Sequence, residues 1–242
     1  MANQSRSQLF TRGLVDGIPI ALGYLSVSFG FGITAVNRGL SPLAAVLISL
    51  TNLTSAGQVA GLEIIVALGT LWEMSLAQLT INLRYFLMSL SLSQRLDKRF
   101  TLPHRLLASF GITDEIFGVA SSQKEPLRPI YMYGLILLPF IGWSLGTLLG
   151  AVAGNILPDS IKFALGIAIY GMFVAIVVPP AKRDRGVFVA SLIGIAVSCS
   201  VTYLPFLSFI TPGFAIILSA LVGASVAAWL FPLKDQEEGD GQ

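Results

Sequence analysis

The chain holds one cysteine and one histidine in 242 residues, and only 12% of its side chains are charged. Each scarcity removes a class of function. A lone Cys199 cannot close an internal disulfide or build a cysteine-rich metal site, and it reads as a small packing residue. A lone His104, set in a basic loop, leaves no histidine triad and no histidine metal cluster. No glycine-rich phosphate loop with its lysine is present. No basic face with interleaved aromatics marks a nucleic-acid binder. The reading therefore assigns no catalytic residue, cofactor or metal, excludes nucleic acid as a partner, and treats the chain as something other than an enzyme.

The low charge is itself informative. Soluble domains carry roughly a quarter charged residues, twice this share, while 54% of the chain is hydrophobic and its mean hydropathy is +0.78. The charges gather in short clusters: Arg6 and Arg12, Arg95 to Arg105, Lys124 to Arg128, Lys182 to Arg185, and an acidic tail. Apolar runs of bilayer-spanning length lie between them. The fold class is an all-α integral membrane protein, a polytopic helical bundle, because barrel strands would alternate apolar and polar residues. The segments are Gly13–Val36, Pro42–Leu68, Trp72–Leu92, Leu106–Ser121, Pro129–Ala153, Ile161–Val178, Val187–Leu204 and Ser208–Leu230. Arg38-Gly39, Pro158-Asp159, Pro179-Pro180 and Pro205 punctuate the connections. No linker divides the chain, so one transporter domain is expected over 13–231, with a cytoplasmic tail at 1–12 and a disordered acidic tail at 232–242. MANQSRSQ runs straight into the first span without an evident cleavage site, so no removable signal peptide is expected.

Placing every basic cluster on the cytoplasmic side puts the N-terminus there as well. It also makes Pro42–Leu68 and Leu106–Ser121 return to the side they start from. The expectation is about six full crossings plus two broken or re-entrant helices; eight crossings is the alternative. LGYLSVSFGFGITAVNRGLSP has an echo in IGWSLGTLLGAVAGNILPDS. Transporter repeats leave such echoes, and glycine-rich helices also match by composition alone.

The polar residues inside apolar frames are the candidate site. NLTSAGQ interrupts the second segment, and a backbone broken in lipid is tolerated only where it lines a cavity. Asn52, Thr54, Ser55, Gly57 and Gln58 are candidates for an anionic substrate group at the start of a half-helix, where amide donors and the helix dipole favour negative charge. The alternative is a polar patch that glues helices together, with Gly57 permitting close packing. Gln78, Asn82 and Tyr85 share one helical face by their spacing. Arg84 lies deep in the same span, able to grip a carboxylate or to pair with Asp114 or Glu115. Burial favours the neutral form of a carboxyl, which makes Asp114 or Glu115 a candidate proton carrier or ammonium partner. Thr113-Asp114 equally suits a helix cap. Glu63 can face the same cavity, Asp16 reads as a cap, and Glu73 as a solvated residue at the membrane edge.

Taken together, GLVDGIPIALGYLSVSFGFG, NLTSAGQVAG, INLRYFLMSLSLS, FGITDEIFGVA and FALGIAIYGMFVAIVVPPAK resemble the AzlC-type large subunit of bacterial branched-chain amino-acid exporters. The resemblance runs from about Gly13 to Trp229. It implies a permease of the bacterial inner membrane that pairs with a small AzlD-type membrane subunit. It further implies export of valine, leucine, isoleucine and sometimes methionine, driven by protons. Two positions depart from the pattern. Tyr85 stands where a histidine often follows Asn-Leu-Arg, which removes one titrating group. Val59 stands where phenylalanine often follows the glutamine, which reshapes the pocket. The rival readings are a permease or channel for another small organic solute, and a membrane assembly partner without transport.

Overall fold

The computed structural model describes residues 5–153, 158, 160, 174, 177–207 and 209–231. The elements are α1 (Arg6–Asn37), α2 (Pro42–Thr51), α3 (Ser55–Val66), α4 (Leu71–Ser93), α5 (Leu102–Phe110), α6 (Asp114–Ser121), α7 (Pro129–Ala153), α8 (Arg185–Tyr203), a 3₁₀ turn at Pro205–Leu207, and α9 (Pro212–Leu230). Among the described residues β-type pairing is confined to an isolated bridge between Leu96 and Leu127. Helices α1, α7, α8 and α9 are long and apolar enough to cross a membrane. On α4, Leu83, Phe86 and Leu90 stand exposed at helical spacing, a surface suited to lipid. The expectation of an all-α membrane protein holds, and both anomalous segments are broken helices.

Several boundaries differ from those expected. Helix α1 starts at Arg6 rather than Gly13 because Ser5 and Gln8 form a capping box. The Gln8 N–H donates to Ser5 Oγ at 3.2 Å and the Ser5 N–H donates to Gln8 Oε1 at 2.9 Å, satisfying two end donors at once. Pro179-Pro180 is not a connection; residues 177–183 are helical. Most of the expected Ile161–Val178 span and the acidic tail at 232–242 lie outside the described residues. Helix α1 ends as anticipated at Arg38-Gly39. Gly39 has φ +94°, and the Leu40 N–H reaches back to the Ala35 carbonyl at 3.0 Å, the left-handed closure that glycine permits most cheaply.

The chain forms two compact units, each drawn from two separate stretches: 1–62 with 81–172, and 63–80 with 173–242. Because both are discontinuous, no linker separates them in sequence. The first unit is organised by α1 and α7. A Cβ on Gly142 would strike the carbonyl of Ala21; on Gly146, that of Leu25; and on Gly150, that of Phe29. The partners advance together at a constant offset, so the two helices run parallel in close backbone contact. The two echoing stretches are thus packing partners. Close approach accounts for Gly142, Gly146 and Gly150 on α7 and for Gly32 on α1, whose Cβ would strike the Thr147 carbonyl, but not for Gly23 or Gly39, where a Cβ meets nothing.

Gly150→Leu is therefore expected to be strongly disruptive. Overpacking costs about 1–3 kcal/mol, and here the obstacle is backbone that no rotamer change can move. The better helix propensity of leucine returns only about 1 kcal/mol. A lowered unfolding midpoint in detergent is the expected result, with Gly23→Ala as control, since a Cβ there meets nothing.

Also in the first unit, α5 and α6 form a hairpin around Gly111-Ile112-Thr113. The far end of α6 is tied to the segment before α5, where the Arg95 guanidinium donates to the Ser121 carbonyl, and to α1, where the Arg12 guanidinium donates to Gln123 Oε1 at 2.8 Å. The hairpin tip reaches Tyr24, in the middle of α1.

Candidate functional site

Helix α2 ends at Thr51, and Asn52 caps it in an extended conformation with φ −142° and ψ 98°. Helix α3 begins at Ser55. The break is Asn52-Leu53-Thr54, narrower than the heptapeptide expected from sequence, and Ser55 to Gln58 form the first turn of α3. A break in an apolar frame strands backbone groups, and the Gln58 side chain recovers one of them, the Asn52 carbonyl. Its Nε2 donates to the Asn52 carbonyl at 2.6 Å and to Ser49 Oγ at 3.2 Å. Its Oε1 accepts from the Trp143 indole N–H at 3.0 Å. Ser49 and Thr147 lie 2.7 Å apart, and the Thr147 hydroxyl donates to the Trp143 carbonyl at 3.1 Å. With that proton committed, Ser49 must be the donor to Thr147. Gln58, Ser49, Thr147 and Trp143 thus close a ring of hydrogen bonds, and Gln58 is only 1% exposed.

The opposite side of the break carries Thr54, whose hydroxyl donates to Asn82 Oδ1 at 2.9 Å and accepts from the Gly57 N–H at 3.4 Å. Gln58 N–H returns to the Thr54 carbonyl at 2.8 Å. The first-turn N–H groups of Ser55 and Ala56 lie ahead of any intrahelical acceptor.

Arg84 extends from α4 to the start of α6, where its Nη1 lies 2.8 Å from Asp114 Oδ2. Its Nη2 donates to the Tyr85 hydroxyl at 3.1 Å, and its guanidinium carbon sits 4.8 Å from the Tyr85 ring centroid. Its Nε is buried with no acceptor, a donor left unmatched at a cost of about 1–3 kcal/mol. The pair itself is not sealed off: the two side chains are 36% and 37% exposed.

Thr113 caps α6 by accepting from the Ile116 N–H, and Asp114 and Glu115 follow in the first turn, where a helix dipole favours carboxylates. The Tyr24 hydroxyl lies 2.5 Å from both Thr113 Oγ1 and Glu115 Oε2. A phenol has one proton, so donation to the Glu115 carboxylate leaves it free to accept from Thr113. Tyr24 also packs edge-on against Trp143, with ring centroids 5.2 Å apart. An unbroken chain of contacts therefore leads from Gln58 through Trp143 and Tyr24 to Glu115.

The structure thus brings together Thr54, Gln58, Asn82, Arg84, Asp114 and Glu115 in the first unit, with the starts of two half-helices facing the same polar cluster. Asn52 contributes its carbonyl, and Ser55 and Gly57 their place in the α3 turn. Gln78 and Glu63 belong to the second unit; Gln78 Nε2 lies 3.8 Å from Met74 Sδ. Two minor readings are corrected. Asp16 is no cap: it lies well inside α1 and accepts from the Tyr131 hydroxyl at 2.7 Å. Glu73 is not solvated: it is 1% exposed, accepting from the Gly213 N–H at 2.8 Å and from the Thr211 hydroxyl. A buried carboxylate there satisfies donors at the start of α9. Tyr24, Trp143, Ser49 and Thr147 escaped sequence reading because isolated aromatics and small hydroxyls in apolar helices are common and carry no spacing signal.

The family model described as AzlC protein matches residues 19–157, which takes in α1 from Pro19 onward and the whole polar cluster. An uncharacterized membrane protein of Archaeoglobus fulgidus is 33% identical over 95% of this chain and 99% of its own length. The inner membrane protein YgaZ of Escherichia coli K12 is 29% identical over 78% of this chain and 80% of its own. An uncharacterized membrane protein of Helicobacter pylori is 26% identical over 60% of this chain and 66% of its own. No solved structure matches. With its helical membrane architecture and these matches, the chain belongs to the AzlC family of membrane proteins.

Proposed function

We propose that this chain is the permease subunit of a proton-driven exporter of branched-chain or similar aliphatic amino acids. The observation that carries the reading is the Arg84–Asp114 pair at the start of α6, joined through Tyr85 to Thr54 just ahead of α3. An amino acid is a zwitterion, and a site of low dielectric must match both its charges. Here an internal ion pair holds one group of each sign. Substrate carboxylate takes Arg84, whose unmatched Nε completes a two-bond grip, and the N–H groups of Ser55 and Ala56 add donors. Substrate ammonium takes Asp114. The exchange replaces one pair by two and leaves no charge unmatched at any stage. Glu115, in hydrogen-bond contact with Tyr24, is the proton carrier in this scheme.

The inner membrane of a bacterium is the proposed location, supported by the printed description of YgaZ. A cytoplasmic N-terminus fits the gathering of Arg6, Arg12, Arg95, Arg99 and Arg128 about one end of the first unit. A small AzlD-type membrane subunit is the proposed partner. The test loads cells with a valine-containing dipeptide and follows valine efflux. Cells expressing both subunits should export valine several-fold faster than cells lacking both; equal rates would end the proposal. Efflux of a hydroxy acid with the same side chain, at the same rate, would point to an organic-acid permease instead.

A further inference from the structure

Away from the polar cluster, the first unit has a small basic cavity of about 180 Å³. Arg6 at the start of α1, Arg99 in the loop before α5, His104 on α5, Arg128 and Tyr133 line it, together with the first turn of α7. Among the described residues no carboxylate lines it; Asp97, the nearest acid in sequence to Arg99, accepts from the Arg99 backbone N–H at 2.9 Å. Three guanidinium groups and a helix start focus positive potential on one small volume. Tyr133 holds His104 in place, its hydroxyl 2.6 Å from Nδ1. The chemistry suits a phosphate or phosphodiester, which guanidinium groups recognise through paired hydrogen bonds.

A second feature decides which. Tyr133 also lines an open apolar groove of about 420 Å³, walled by Phe10, Phe110, Ile136 and Phe140. Phe110 and Phe140 meet edge-on, with ring centroids 6.0 Å apart. A free phosphate has no use for that groove, whereas an acyl chain does. We propose that the basic cavity and the groove together hold one anionic glycerophospholipid, its phosphodiester among Arg6, Arg99 and Arg128 and one acyl chain along Phe110 and Phe140. Tyr133 marks the junction, as amphipathic aromatics do at a membrane interface. Basic recesses between helices at the cytoplasmic surface recognise anionic head groups by the same physics.

The test uses the full chain purified in a neutral detergent and follows lipid binding by native mass spectrometry, with thermal midpoints in parallel. Phosphatidylglycerol should bind at least about tenfold more tightly than phosphatidylcholine and raise the midpoint; inorganic phosphate should do neither. Arg6→Gln combined with Arg99→Gln, both exposed positions, should abolish the preference. Arg99→Lys should keep part of it, and Phe110→Ser should weaken both lipids alike. Equal binding of the two lipids would overturn the proposal, as would a preference that survives the double substitution. Inorganic phosphate that binds and competes with phosphatidylglycerol would overturn the lipid assignment in favour of a soluble anion.

Discussion

Arg84→Gln is expected to lower amino-acid efflux by about ten- to a hundredfold while the protein still reaches the membrane. A charge-assisted hydrogen bond contributes about 1.5–3 kcal/mol, and each 1.4 kcal/mol is a factor of ten. Since the Arg84 and Asp114 side chains are both about a third exposed, water screens part of the interaction and the lower end applies to stability. Flux is affected more, because substrate carboxylate loses its only cationic partner in the scheme. Arg84→Lys should fall between, since it keeps the charge and loses the planar fork. The decisive variant is Arg84→Gln with Asp114→Asn. If the pair serves only architecture, removing both charges spares each the cost of an unmatched partner, and function returns. If it serves the substrate, the double variant stays inactive while its unfolding midpoint recovers. Recovery of efflux in that variant would refute the transport role.

Gln58→Leu is expected to destabilise the first unit by about 2–6 kcal/mol. The substitution keeps the side-chain size and removes both ends of the amide. The Asn52 carbonyl and the Trp143 N–H are then buried without partners, each costing about 1–3 kcal/mol. Hydrogen bonds between membrane helices often contribute less, because the unfolded chain in lipid also finds partners; the measured value should sit in the lower half of the range. Trp143→Phe strands the same bond from the other side. The two substitutions share one interaction, so their combined effect should be smaller than the sum of the single effects. Denaturant titration of the four proteins in detergent closes the cycle, and strict additivity would remove the ring from the account. Reduced efflux from Gln58→Leu should track the amount of folded protein, which separates this scaffold residue from Arg84.

Which of the polar side chains serve the backbone was not legible in the residues themselves. NLTSAGQ announces a break, because two amides, two hydroxyls and a glycine have no reason to sit in hydrocarbon unless backbone or ligand needs them. It does not say which of those groups serves the backbone. Gln58 looked like a substrate ligand by chemistry and proves to be engaged on every side by Ser49, Asn52 and Trp143. Glu73, read from its position at a membrane edge as solvated, is buried because Thr211 and Gly213, some 140 residues away, supply its donors. Asp16 was misjudged through the helix start: the Ser5–Gln8 box moves that start forward, leaving Asp16 in the body of α1.

Composition and periodicity by themselves determined that this is a helical membrane protein, where its apolar segments lie, and that two of them are interrupted. These are local or one-dimensional properties: the free energy of placing each side chain in lipid, and the backbone preferences of proline, glycine and the small polar residues. Tertiary structure alone decided that α1 and α7 run in parallel, that Arg84 pairs with Asp114 and that Tyr24 pairs with Glu115. Such pairings depend on distances between residues far apart in the chain, set by glycine-lined backbone contact and by hydrogen bonds between buried polar groups, and no single segment encodes them.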